Sequence, residues 1–184
     1  NNIAWNLNYY CGTVGDDWYL SLFDQAGERL AGEITPCYSM LDKDGVGAVH
    51  KIMPDVKIIF LLRNPLDRAW SHAIKDFTRF RKLTPEQISQ DQYIEHFNSP
   101  GSLLRGNYPR TVSNWTDVFG KDQILVRFYD QIKTAPGSLI GDILNFIGAD
   151  PELLPPDNSM RTRVNAGKKY IMPDDLKRIL AELY

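Results

Sequence analysis

The chain has 184 residues, 43% apolar and 24% charged, with 21 Lys plus Arg against 23 Asp plus Glu and a net charge of −2 at neutral pH. That balance is average for a globular domain and excludes a disordered chain, a collagen-like chain and a disulfide scaffold. It also argues against a uniformly basic nucleic-acid surface, while leaving room for a local basic pocket. The two cysteines, Cys11 and Cys37, fit no zinc spacing and no redox pair. Both are expected as small, buried or half-buried thiols, and no metal site is expected. No apolar run approaches the ~18 residues a membrane span needs. Residues 1–5 lack the basic stretch and apolar core of a signal peptide, and both ends of the chain read as cut.

In chain order, Leu30 to Thr35 is expected as a short strand ended by Pro36. Val56 to Leu62 is a nearly continuous, β-branched apolar run, which suits a buried strand of a parallel sheet. It stops at Arg63-Asn64-Pro65, where Asn64 suits an N-cap and Pro65 the first helical turn. Leu66, Ala69, Trp70, Ala73, Ile74 and Phe77 then recur at helical spacing and form one apolar face. The polar span Lys82 to Asn107 reads as a short helix plus loop. Tyr108 to Phe119 is helical in pattern, with Val112, Trp115 and Phe119 on one side. Gln123 to Tyr129 is a second buried strand, and a helix closed by Gly148 follows Pro136. Asp150 to Lys169 is proline-rich and then basic, in the manner of a surface loop. Pro173-Asp174-Asp175 opens a last helix through Leu176, Ile179, Leu180 and Leu183. Strands alternating with helices imply α/β architecture and a parallel sheet.

In such sheets ligands sit beyond the carboxyl ends of the strands. Arg63 lies at one such end, and the helix that follows directs its dipole and free backbone N–H groups into the same space. Ser71 falls on the polar flank of that helix. Arginine, hydroxyl and helix start together suit a dianionic phosphate; taken alone, they equally suit an ordinary ion pair and a solvated serine.

The stretch Phe60-Leu61-Leu62-Arg63-Asn64-Pro65-Leu66-Asp67-Arg68-Ala69-Trp70-Ser71-His72 resembles the 3′-phosphate-binding segment of sulfotransferases. Those enzymes use 3′-phosphoadenosine 5′-phosphosulfate (PAPS). They place an arginine at the strand end and a serine eight residues on, the spacing of Arg63 and Ser71. Gly32 to Tyr38, Trp18-Tyr19 with Phe23, Gly106-Asn107-Tyr108 with Trp115 and Phe119, and Val164-Asn165-Ala166-Gly167 resemble further blocks of the family, in the family's order. The resemblance implies a P-loop-NTPase-like three-layer sandwich with a central parallel sheet, over one domain spanning residues 1–184. It implies transfer of a sulfuryl group from PAPS to a hydroxyl or amine, leaving 3′-phosphoadenosine 5′-phosphate (PAP), with a small-molecule or saccharide acceptor and no metal. Arg63 and Ser71 are its implied 3′-phosphate ligands. Tyr129 is a candidate for adenine contact or for core packing. Lys168, in the basic cluster of Arg161, Arg163, Lys168 and Lys169, is a candidate to close over the phosphate.

The family's 5′-phosphosulfate loop is expected ahead of residue 1, so the domain reads as incomplete there. Cys11-Gly12-Thr13 does not replace it, because no apolar strand and no lysine precede it. Asn6-Leu7-Asn8-Tyr9-Tyr10 looks like the segment that carries a glutamate base in several members. Asn6 stands in the glutamate's place and cannot accept a proton. Glu33 is the other candidate base, or a structural carboxylate. His72 is expected as a helix-surface residue, and the glycosylation-type triplet at Asn114 as accidental. A non-catalytic nucleotide- or glycan-binding module of the same fold is the alternative reading. A bacterial cytoplasmic location is expected, with the Golgi lumen possible if an anchor precedes the chain.

Overall fold

The computed structural model describes residues 3–160 and 170–184. The chain separates into two compact units, Asn1–Tyr38 and Ser39–Tyr184.

The first unit is an aromatic-stapled helix pair, α1 (Ile3–Cys11) and α2 (Asp16–Ser21). Trp5 stacks on Tyr9 at 5.0 Å and donates its indole N–H to the Leu22 carbonyl. Trp18 donates to the Asn8 carbonyl at 2.8 Å. A Cβ at Gly12 would lie 2.5 Å from the Trp18 ring. Packing thus accounts for this glycine, which follows a helix and not the strand a phosphate loop requires. The strand expected over Leu30 to Thr35 does not form. Leu30 is 67% and Ile34 96% exposed; β-branched composition forms a strand only where a second edge supplies hydrogen bonds. Cys11 and Cys37 are both exposed free thiols, which corrects the expectation of burial. Cys11 is the last residue of α1, and Cys37 lies in the single turn Pro36–Met40.

The second unit holds the sheet. β1 (Ile58–Leu62) and β2 (Ile124–Phe128) pair in parallel, with Ile58 opposite Ile124 and Leu62 opposite Phe128. Paired residues in this register share a face. Phe60, opposite Val126, meets Trp115 of α7 (Tyr108–Phe119) edge-on at 6.1 Å. On the other face Arg127, opposite Leu61, pairs with Asp142 of α9 (Pro136–Ile147) at 2.7 Å. Helices therefore cover both faces, in the layering of a parallel α/β protein. Coverage is uneven: Ile59 and Leu61 are 37% and 39% exposed, so β1 is not the wholly buried strand its composition suggests.

Away from the sheet, α4 (Pro65–Lys75), α5 (Gln90–Asn98) and α11 (Asp174–Leu183) enclose the main core. It contains Ala69, Ala73, Phe77, Tyr93, Phe97, Leu176 and Leu180. The apolar stripe read from α4 is the face that packs there. The span Lys82 to Asn107 is more regular than expected, holding α5 and α6 (Pro100–Gly106). Thr84 with Gln87, and Ser89 with Gln92, form capping boxes, and Ser99 caps α6. Such reciprocal caps satisfy the first-turn N–H groups and let short helices persist in a polar sequence. In α7 the Asn114 amide donates to the Leu41 carbonyl, a structural use of that side chain. The remaining α-helices among the described residues are α3 (Lys43–Ile52), α8 (Gln131–Thr134) and α10 (Asp157–Met160).

Candidate functional site

β1 ends at Leu62 and α4 begins at Pro65, so Arg63 and Asn64 form the whole turn. Asn64 Oδ1 accepts from the backbone N–H groups of Leu66 at 3.0 Å and Asp67 at 3.3 Å. This corrects the expectation that the first turn offers free N–H groups to a ligand: the cap takes them, and Pro65 has none. What remains for an anion is the positive end of the helix and the Arg63 guanidinium.

The two strand-end candidates meet. The Tyr129 backbone N–H donates to the Leu62 carbonyl at 2.8 Å, extending the parallel ladder one step beyond β2. The Arg63 guanidinium consequently lies over the Tyr129 ring, 5.3 Å from its centroid. Arg63 is half-buried and has no carboxylate partner among the described residues. A half-buried guanidinium held by a ring face and free of a counter-ion is suited to a ligand phosphate.

Ser71 is exposed on α4, and no hydrogen bond of its side chain occurs among the described residues. It follows Asn64 by two helical turns, on the same flank and ~10 Å further along the axis. Lys168 lies outside the described residues. Glu33 belongs to the first unit, where it is exposed and accepts a hydrogen bond from the Tyr19 hydroxyl at 2.9 Å. Tyr38 also hydrogen-bonds it, and burial together with this pairing raises both phenols' pKa values.

Tyr108, to which the sequence assigns no role, belongs to this neighbourhood. Burial raises its phenol, opposed first by Arg68 and then by the backbone N–H of Arg63, which hydrogen-bonds it. Arg68 in turn donates Nη2 to the Ser102 carbonyl at 2.9 Å and to the Tyr184 hydroxyl at 2.6 Å. The signal was present in the block Gly106-Asn107-Tyr108, at a capped helix start. His72 also departs from expectation. It is half-buried, edge-on to His96 at 4.8 Å. Burial first, then His96 and nearby arginines, lower its pKa to about 4.

Two cavities of about 300 and 320 Å³ flank the core, and neither is lined by Arg63, Ser71 or Tyr129. Among the described residues no group of three or more His, Cys, Asp or Glu is set to hold a metal. No helix of those residues is long and apolar enough to cross a membrane.

The chain is similar to several sulfotransferases. Over 93 residues it is 33% identical to sulfotransferase 1A1 of Bos taurus, a stretch covering 50% of this chain and 30% of that protein. Over 145 residues it is 24% identical to heparan sulfate glucosamine 3-O-sulfotransferase 6 of Homo sapiens, covering 75% of this chain and 41% of that protein. These curated relatives are thus matched over less than half of their own length. The crystal structure of a sulfotransferase from Alicyclobacillus acidocaldarius superimposes with a TM-score of 0.69 at 24% identity, over 96% of this chain and 69% of that one. The fold is accordingly the P-loop-like α/β fold of a sulfotransferase. Residues 48–166, which include Arg63, Ser71 and Tyr129, match the sulfotransferase domain in sequence, and the chain belongs to that family.

Proposed function

We propose that the chain forms the 3′-phosphoadenosine-binding part of an enzyme that moves a sulfuryl group from PAPS to a hydroxyl or amine acceptor. The observation that carries this reading is Arg63, half-buried at the carboxyl end of β1 without a carboxylate partner among the described residues. It rests on the Tyr129 ring. In this reading the Arg63 guanidinium and the Ser71 hydroxyl donate to the 3′-phosphate, and Tyr129 offers its ring to the adenine. Lys168 joins them on sequence grounds alone.

During transfer the acceptor oxygen or nitrogen bonds to sulfur as the sulfur–oxygen bond to the 5′-phosphate breaks. The bonding pair leaves on the phosphate, and the acceptor's proton passes to a base. Glu33 is our candidate base, held by the phenols of Tyr19 and Tyr38. A saccharide or small-molecule acceptor is supported by the heparan sulfate relative's name. Asn6, exposed on α1 where the resemblance implies a glutamate, favours a second reading, a nucleotide-binding module without catalysis.

Calorimetric titration with PAP tests the first reading. Arg63→Ala is expected to weaken binding at least thirtyfold, the equivalent of about 2 kcal/mol for one lost charge-assisted contact. Equal affinity in the folded variant would refute the assignment. Sulfuryl transfer from PAPS, assayed on the protein that binds PAP, separates the enzyme from the module.

A further inference from the structure

A π-helical turn, Asp76–Phe80, extends α4 and is closed by the Arg81 N–H on the Asp76 carbonyl at 3.0 Å. At α-helical spacing Phe80 would follow Ala69, Ala73 and Phe77 onto the inward face. The wider turn takes it off that face: Phe77 is 1% exposed and Phe80 64%. Such turns are frequent at functional sites. The chain then makes a second costly step. Lys82 has φ 61°, and every other positive-φ position among the described residues is glycine. Leu83 beyond it returns to the core and donates its N–H to the Phe77 carbonyl at 3.0 Å, a helix ending in which glycine is the usual residue. A lysine there costs stability that glycine would restore.

Positive charge gathers on the same turn. Lys75, Arg79, Arg81 and Lys82 are all exposed. Arg81 is held by Asp76 at 3.0 Å, with its guanidinium 4.9 Å from the Phe77 ring centroid. Lys75, Arg79 and Lys82 have no ion-pair partner among the described residues. Glu95 borders the same cavity as Arg81 and Asp76, and four cations still outnumber those two carboxylates. Glu86, the next acid along the chain, is engaged by Thr84 and its own backbone N–H. The whole chain carries −2, so this surplus is local. Phe80 lies within it, its ring centroid 5.7 Å from Lys75 Nζ. The charge selects an anionic partner, and the exposed ring narrows the choice. A soluble polyanion gains little from an apolar side chain left in water. At a bilayer surface the ring enters the acyl boundary while Lys and Arg stay among the headgroups.

We propose that this turn docks the protein on an anionic lipid surface, with Phe80 in the interface and Lys75, Arg79 and Lys82 on the headgroups. The attachment is peripheral and reversible, because one ring and three free cations fall well short of an inserted segment. It is independent of nucleotide binding at Arg63.

The test is co-sedimentation of the full chain with vesicles of phosphatidylcholine containing about 30% phosphatidylserine. Binding is expected at about 0.1 M salt, with loss at about 0.5 M, and none to phosphatidylcholine alone. Lys75→Gln and Arg79→Gln should each weaken it about fivefold, and Phe80→Ser about tenfold. Lys82→Gly is the sharpest arm. It should bind about fivefold more weakly yet unfold at a higher urea concentration, so misfolding cannot imitate the loss. Heparin in solution separates a lipid surface from a soluble polyanion. Vesicle binding that Phe80→Ser leaves intact and heparin abolishes would assign the turn to a polyanion and overturn the proposal. So would failure to sediment with the anionic vesicles, equal binding to phosphatidylcholine alone, or undiminished binding by Lys82→Gly.

Discussion

At Gly106, the last residue of α6, helix propensity and packing make opposite forecasts for alanine. Propensity favours alanine over glycine by about 1 kcal/mol. Packing opposes it. A Cβ there would lie 2.2 Å from Cε1, 2.6 Å from Cζ and 2.7 Å from the hydroxyl oxygen of Tyr184, so the ring must leave. With it go the hydrogen bond from Arg68 at 2.6 Å, the bond from the Tyr184 hydroxyl to the Ser102 carbonyl, and the guanidinium 5.7 Å from the ring centroid. Tyr184 is 38% exposed, which places the lost contacts at the low end of their ranges. A hydrogen bond to a charged group contributes about 1.5 kcal/mol there, the neutral hydrogen bond about 0.5 kcal/mol and the cation–ring contact about 0.5 kcal/mol. The loss of about 2.5 kcal/mol outweighs the gain, and Gly106→Ala should destabilise by about 1.5 kcal/mol. Urea denaturation followed by circular dichroism measures this, provided the slope is unchanged. The decisive arm repeats the substitution in Tyr184→Ala, where the obstruction is gone and alanine should stabilise instead. Stabilisation in the unmodified background, or the same sign in both, would refute the packing argument.

Tyr129→Leu should weaken PAP binding by roughly two- to fivefold if the ring only positions Arg63, given about 0.5–1 kcal/mol for an exposed cation–ring contact. A larger loss by calorimetry would place the adenine on the ring. Glu33→Gln should slow sulfuryl transfer at least a hundredfold while leaving PAP affinity intact, as for the loss of a general base; an unchanged rate constant would remove Glu33 from the chemistry. His72 makes stability depend on pH. Its pKa is lowered to about 4 in the folded chain against an unfolded value of about 6.5, so the unfolded chain binds the extra proton first. Stability is therefore full above pH ~6.5 and declines as pH falls towards 4. Urea midpoints across that window should show the decline, and His72→Asn should blunt it; a decline of equal size in the variant would assign it elsewhere.

The turn at Arg63-Asn64-Pro65 was legible because strand, cap and helix start are all written in adjacent residues. Arg63 and Tyr129 were each legible as strand ends, and parallel pairing in register then brought them together. The α4 and α11 stripes were legible for the same local reason, a sustained helical period. What escaped the sequence depended on distant partners. Leu30 to Thr35 has strand composition, but a strand exists only with a paired edge. α5 and α6 hid in a polar span because their stability comes from caps and a few core rings such as Tyr93 and Phe97, not from a long apolar stripe. The Asn64 cap also consumes first-turn N–H groups that would otherwise face a ligand. Tyr108 and His96 owe their environments to Arg63, Arg68 and His72 from another helix or turn, a juxtaposition no spacing encodes.

The most direct test of a strand-end phosphate site is a crystal structure of the protein soaked with PAP. The account predicts the 3′-phosphate within hydrogen-bond distance, about 2.7–3.2 Å, of the Arg63 guanidinium and the Ser71 hydroxyl, with the Tyr129 ring beside the nucleotide. A nucleotide bound elsewhere, or one whose 3′-phosphate touches neither Arg63 nor Ser71, would contradict it.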